Sequence, residues 1–313
     1  MNAKRRPFRF GVQLQRADSP TSWLNKARIA EDIGYSVVTM PDHVSPQPAP
    51  MPALTAIALS TTTIRVGPMV MSNDWRNPVL LAREAATLDW LSNGRLELGI
   101  GAGWQSKDYE QLGLPFDSPG VRVDRMAEAL EIIRDLLSGV TVTYSGRYYR
   151  LVDATCYPPP VQTPHPALVV GGGSRRILSL AGRLADVVNV HTNLGASQRG
   201  VSYKPDLAPE SARQRFAWVR EGAAERLAEV ELGLRIFMTA VTDQRANAAA
   251  DLGARWQLNA SQVLESPYAL IGSADSIAEE LVARREEYGA SHFVWNESEL
   301  ETMAPVVKRL AGR

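Results

Sequence analysis

ALVVGGGSRRILSLAGR, residues 167–183, is the stretch on which the reading of the whole chain turns. Ala167, Leu168, Val169 and Val170 form a short apolar run that suits a strand buried on both faces. Gly171, Gly172 and Gly173 stop it, and Ser174 opens a helix whose apolar side is Ile177, Leu178 and Ala181. A buried strand that passes through glycines straight into a helix is a building unit of parallel α/β sheets. Three residues without Cβ also let a phosphate approach the N–H groups at the positive end of the helix, where Arg175 and Arg176 add charge. The same glycines would serve as an ordinary tight turn, and a glycine run without a fixed fingerprint does not separate the two uses.

The unit recurs along the chain. Residues 9–15 alternate around Phe10, Val12 and Leu14, and Ser19 with Pro20 then starts a helix that Gly34 closes. A strand over residues 36–40 delivers Pro41, Asp42 and His43 to its end. After a helix over residues 54–63, a third strand over residues 64–71 carries Ser72, Asn73, Asp74, Trp75 and Arg76. Asn77 and Pro78 begin the next helix, and a fourth strand over residues 95–100 leads into Gly101, Ala102, Gly103 and Trp104. Ser118 and Pro119 open the most periodic helix, along which Met126, Leu130, Ile133 and Leu137 follow one stripe. Residues 141–151 alternate around Ser145 and Gly146, which predicts a hairpin inserted before strand 5. A strand over residues 186–190 presents His191, Thr192 and Asn193, one long strand is expected over residues 232–241, and residues 261–265 suit a short extra turn of helix. The last strand, residues 291–295, ends at Trp295, and Leu300, Met303, Val307 and Leu310 mark a terminal helix.

A doubly wound open sheet shows a similar alternation, but eight repeats without a composition break point to one α/β domain over residues 1–313: a (β/α)8 barrel of the TIM type with an inserted hairpin and extra loops at its C-terminal mouth. In such a barrel the residues after each strand gather at one mouth, which would bring Asp42, His43, Asn73, Trp104, Ser174, His191 and Trp295 together.

Composition narrows the function. Lys plus Arg number 34 and Asp plus Glu number 34, so no overall positive field draws nucleic acid or anionic lipid, and any phosphate must be caught locally. The single cysteine, Cys156, allows no internal disulfide or thiolate cage, which fits a reducing cytoplasm. Residues 8–14 are too short and polar for a signal-peptide core, and no apolar run approaches a membrane span. His43, His165, His191 and His292 have no ligand-like spacing, so no metal is expected.

Taken together, PDH at 41–43, SNDWRNP at 72–78, LSNGRLELGIGAGW at 91–104 and VVGGGSRR at 169–176 resemble the luciferase-like monooxygenase superfamily. The likeness reaches from the first strand to ALIGSADSIAEELV and GASHFVW near the C-terminus, and it is strongest to the branch that uses the deazaflavin coenzyme F420. It implies a (β/α)8 barrel with the cofactor in its mouth. FMN-dependent relatives share much of the pattern. By position, Asp42 matches an aspartate that contacts the deazaflavin and His43 an active-site histidine. Met69 and Val70 match a strand bulge with a non-proline cis peptide behind the ring. Ser72, Ala102, Gly103 and Lys107 match cofactor contacts, and Gly172, Gly173, Ser174, Arg175 and Arg176 match the phosphate loop. The chain departs from the family's sugar-phosphate dehydrogenases at Trp104, where those have a glutamate, and their basic sugar-phosphate residues lack clear counterparts. A flatter or less polar substrate is implied.

Reduced F420 donates hydride from C5 of its ring, and His43 would then supply a proton. A histidine that only orients the ring is the plainer alternative. Trp75, Trp104, Trp295 and His191 are candidate substrate contacts, although aromatic residues at such spacings also build cores. The acidic tail of F420 calls for a basic mouth, for which Arg76, Lys107, Arg175 and Arg176 are available. The expectation is an F420-dependent oxidoreductase that reduces a C=C or C=N bond of a small molecule, as a homodimer. Its rivals are an FMN-dependent monooxygenase fed by a separate reductase, a phosphate-binding lyase or isomerase without redox cofactor, and a non-catalytic flavin carrier.

Overall fold

Short parallel strands separated by helices make up most of the chain, which a computed structural model describes over residues 6–192 and 206–313. Asn193 lies outside the described residues. In chain order the strands are β1 (Arg9–Gln13), β2 (Val37–Met40), β3 (Arg65–Pro68), β4 (Met71–Ser72), β5 (Glu97–Gly101), β6 (Val142–Ser145) and β7 (Arg150–Ala154). They continue as β8 (Ala167–Gly172), β9 (Val187–Val190), β10 (Glu231–Arg235), β11 (Met238–Val241), β12 (Ala269–Gly272) and β13 (Ala290–Asn296).

Nine of these strands form one parallel sheet in the order β3-β2-β1-β13-β10-β9-β8-β5-β4. β3 and β4 are two halves of a single stave, parted by Met69 and Val70, whose peptide bond is cis. A bridge from Val66 to Leu96 and the pairing of Met71 with Ile100 join that stave to β5, so the ring closes on eight staves. The antiparallel pair β6 and β7 is the inserted hairpin.

Helix ends follow the capping residues. Ser19 accepts from the Ser22 N–H ahead of the helix Pro20–Ile33, which Gly34 ends at φ +101°. Asn77 accepts from the Val79 N–H to start the helix Pro78–Leu91. Period-two alternation sorts each stave between the apolar shell under the helices and the barrel interior. On β13 it sends Phe293 and Trp295 outward, fully buried against Phe10 and Tyr35, and leaves His292, Val294 and Asn296 facing in.

Two expected strands are broken. Residues 64–71 divide at the Met69–Val70 cis peptide, the bulge that the family resemblance implies there, and residues 232–241 divide after Arg235, where the chain leaves the barrel and β11 pairs with β12 in a separate two-stranded sheet. β12 and the helices Ser106–Leu112 and Arg245–Ala254 are unanticipated elements. The first two are too short to display a period, and the third is alanine-rich with little amphipathic contrast. The terminal helix begins late, at Ala304, because Glu297–Glu299 forms a 3-10 turn first.

Candidate active site

A cavity of about 510 Å³ lies at the C-terminal ends of the barrel strands, a size typical of small-molecule sites. Its base is a polar chain from three staves. Arg235, the last residue of β10, donates from Nη2 to Gln13 Oε1 at 2.9 Å and to Asn296 Oδ1 at 2.6 Å. Gln13 Nε2 donates in turn to the Met69 carbonyl at 2.9 Å, so the cis peptide is tied to the base where Met69 and Val70 meet the cavity. Glycines on β5 admit this bulge: a Cβ on Gly101 would overlap the Val70 side chain. Gly103, at φ +73°, leaves the space that the Tyr109 hydroxyl occupies.

The residues after β2 form one edge. Asp42 is buried, and its carboxylate accepts from the Ser72 N–H at 2.9 Å and from both terminal nitrogens of Arg76 at 2.6 and 3.2 Å. His43 Nδ1 lies 2.7 Å from Asp108 Oδ2, while Asp108 Oδ1 accepts from the Val44 N–H at 3.2 Å and from Gln105 Nε2 at 3.3 Å. An ionised carboxylate only accepts, so Nδ1 carries the proton and Nε2 is the nitrogen left for a ligand. Trp104 stands edge-on to the His43 ring, 5.8 Å between centroids.

The opposite wall is the glycine stretch. Gly171, Gly172, Gly173 and Ser174 line the cavity, and the helix Arg175–Leu184 starts there without a side-chain cap. Beside it Arg122, almost fully buried, donates to the Ala102 carbonyl at 3.2 Å and to the Asp117 carbonyl, with its guanidinium 4.1 Å from the Phe116 ring centroid. His191 Nδ1 is 2.6 Å from the Thr192 carbonyl, which fixes the proton on Nδ1. Burial pushes its pKa down to about 4, so the ring is neutral and presents a bare Nε2 near Gly171.

Of the residues singled out in the sequence, Asp42, His43, Met69, Val70, Ser72, Trp75, Ala102, Gly103, Trp104, Gly172, Gly173, Ser174 and His191 lie on the cavity wall. Four do not. Trp295 faces away from the barrel interior, donating its indole N–H to the Tyr35 hydroxyl at 2.9 Å, because the strand's alternation sets it on the outer side. Lys107 is exposed on the helix Ser106–Leu112, one residue from the buried Asp108. Arg175 and Arg176 point outward from the first turn of their helix to surface carboxylates, Arg175 to Glu221 at 3.0 Å and Arg176 to Asp124. Asp108, Arg122, Asn189 and Arg235 escaped the sequence reading. Arg122 carried a signal, since it stands four residues before Met126 on an otherwise apolar stripe. Among the described residues no group of three or more His, Cys, Asp or Glu is arranged to hold a metal ion, and no helix is long and apolar enough to cross a membrane.

Comparison with known proteins adds the lineage. The model of the luciferase-like monooxygenase family matches residues 6–303. Over 189 residues the chain is 32% identical to an F420-dependent glucose-6-phosphate dehydrogenase of Microbacterium testaceum, covering 58% of this chain and 55% of that protein. Over 196 residues it is 30% identical to a 5,10-methylenetetrahydromethanopterin reductase of Methanopyrus kandleri, covering 59% and 55%. The chain thus spans little more than half the length of these curated relatives. The solved coenzyme F420 dependent tetrahydromethanopterin reductase from Methanopyrus kandleri superposes with a TM-score of 0.78 at 21% identity over 97% of this chain and 98% of its own. A long-chain alkane monooxygenase superposes at 0.75 and 14% identity over 98% and 92%. At such identities the likeness is one of fold.

Proposed function

Because the chain belongs to the luciferase-like monooxygenase family, we propose that it is an F420-dependent oxidoreductase that transfers a hydride between the deazaflavin and a small organic substrate, reducing a C=C or C=N bond. One observation carries the reading: the His43–Asp108 pair stands at the edge of a cavity whose far wall is a glycine run opening a helix. The residues present fit a ring that bears a phosphate. Gly172, Gly173, Ser174 and the free N–H groups of the following helix suit the phosphate, with buried Arg122 as the nearby cation. Met69 and Val70 would back one face of the ring, with Ala102, Gly103 and Ser72 beside it. Lys107, exposed, and Arg175 and Arg176, if they gave up Glu221 and Asp124, would be the cations available to an acidic tail that leaves the cavity.

When bound and reduced, F420 supplies the hydride. The protein's part is to fix donor and acceptor at close range, exclude water and move one proton. Asp108 holds His43 through Nδ1 and aims Nε2 at the cavity, the nitrogen from which a proton would pass to the substrate. Trp75, Trp104 and His191 would wall the substrate side. The single cysteine fits a cytoplasmic setting, the family resemblance supports a homodimer, and exposed Leu59, Leu80 and Leu91 on two neighbouring helices offer apolar surface for one.

The test is to titrate the protein separately with F420 and FMN and follow fluorescence quenching. Tight F420 binding with weak FMN binding is expected. Tight FMN binding without any response to F420 would reassign the chain to an FMN-dependent monooxygenase served by a reductase, and no binding of either would favour a lyase or isomerase. Stopped-flow oxidation of bound reduced F420 separates enzyme from carrier, since only an enzyme gives a substrate-dependent rate.

A further inference from the structure

Arg235 lines the cavity but has no part in the proposed chemistry. Its guanidinium is buried at the base, 8% exposed, and its hydrogen-bond partners among the described residues are all neutral: Gln13 Oε1, Asn296 Oδ1 and the carbonyls of Val294 and Ile236. No carboxylate lies within ion-pair distance of it among the described residues, and residues 1–5 and 193–205 contain no Asp or Glu. Arg9 and Arg65, deeper in the same barrel, are each paired with Glu97, and Arg9 with Glu231 as well. The acid whose field reaches Arg235 is Glu299, whose carboxyl accepts from the Ser298 hydroxyl and is raised above the usual range by burial, which weakens it as a counter-charge. A buried cation without its own anion is costly unless a ligand completes it.

The neighbouring wall has a second group in want of a partner. Asn189, on the adjoining strand β9, lines the same cavity 1% exposed, and neither its side-chain oxygen nor its nitrogen has a hydrogen-bond partner. His191, two residues on, is neutral, so it provides no competing cation. Phe237 flanks the guanidinium, 5.9 Å from its ring centroid, and gives the subsite an aromatic side. We infer that Arg235 and Asn189 form an anion subsite and that the substrate carries a carboxylate, seated there while the rest of its body faces the aromatic walls. The inference deepens the proposed function and rests on it for the identification of the anion with the substrate rather than with the cofactor.

Benzoate and its neutral isostere benzamide serve as probes. Their affinities are measured calorimetrically on the protein with and without F420, for the wild type, Arg235→Lys and Arg235→Met, alongside the F420 affinity of each. The expected result is benzoate at least ~10-fold tighter than benzamide in the wild type, a reduced preference in Arg235→Lys, none in Arg235→Met, and F420 affinity within a few fold throughout. Equal affinity for the two probes in the wild type overturns the subsite, as does a preference that survives Arg235→Met. Loss of F420 affinity in the variants with the benzoate preference unchanged assigns the anion to the cofactor and also overturns it. The wild-type comparison needs no variant, so it decides even where Arg235→Met fails to fold, with Arg235→Lys as the second reading. A benzoate preference in protein that never binds F420 would retain the subsite while removing the F420 reading.

Discussion

Between His43 and Asp108 a single bond of 2.7 Å separates two roles, proton delivery and simple positioning of a ring. Asp108 is 2% exposed and spends its other oxygen on the Val44 N–H and Gln105, so it is itself held and can hold His43 in one orientation. Asp42, one residue earlier, has its carboxylate committed to Arg76 and the Ser72 N–H, which makes it a strut for the strand-end loops. His43→Ala is therefore expected to lower turnover by roughly 10²–10⁴-fold, the usual worth of a positioned acid or base, with F420 affinity within a few fold. Asp108→Asn should follow with a smaller loss, since an amide oxygen still accepts from Nδ1. Steady-state rates beside fluorescence titrations would measure both, and equal losses in rate and affinity for His43→Ala would assign it to binding instead.

The glycine loop after β5 shows how an element is shaped by what it must avoid. Gly101 clears Val70, and Gly103 combines a left-handed φ of +73° with the Tyr109 hydroxyl in the space of a Cβ. Gly113 ends the next helix at a similar φ, +67°, with nothing within 4 Å of its Cβ position. Gly113→Ala should cost about 1 kcal/mol for backbone alone, and Gly103→Ala roughly 1–3 kcal/mol, because the clash adds to the same strain. Urea denaturation of the two variants isolates the clash as their difference, and equal costs would show that Tyr109 yields freely. Elements with marked ends were legible in the sequence: Ser19, Pro20 and Gly34 bracket one helix, and Asn77 and Pro78 begin another. Where the structure departs, the residues carry no local mark. An apolar run reads the same whether it stays in the barrel or leaves it, as residues 232–241 do after Arg235, and the cis peptide within residues 64–71 is marked only by the family resemblance at Met69 and Val70. Trp295 sits at a strand end as expected, but only the phase of the alternation says which side it takes. Asp108 hides in a seven-residue helix too short for periodicity, and the outward turn of Arg175 and Arg176 depends on Glu221 and Asp124, distant in sequence.

Across the whole barrel, function and stability are kept at opposite ends. The cavity occupies the C-terminal mouth, whereas the N-terminal end is closed by an ion network in which Glu97 of β5 binds Arg9 of β1 and Arg65 of β3, and Arg9 also binds Glu231 of β10 at 2.5 Å. Four of the eight staves are thereby tied across the interior. Burial alone would raise the Glu97 pKa, but the charges of Arg9 and Arg65 outweigh it and hold the carboxyl below its usual range. Removing that charge by Glu97→Gln keeps the shape but leaves Arg65 without its carboxylate and Arg9 with only one, at an expected cost of roughly 3–5 kcal/mol near neutral pH. The pH dependence follows in sign. The unfolded chain takes up a proton at Glu97 before the folded one does, so this contribution is present above about pH 4.5 and is lost as pH falls through that value towards the lower folded pKa. Urea midpoints measured from pH 7 to pH 3 should thus show the wild type losing stability faster than Glu97→Gln, the gap between them narrowing on the acid side. Since the network lies at the far end from the mouth, F420 affinity of folded Glu97→Gln at pH 7 should stay within a few fold of the wild type. A gap that holds constant down to pH 3 would mean that Glu97 is not the charge that closes the barrel.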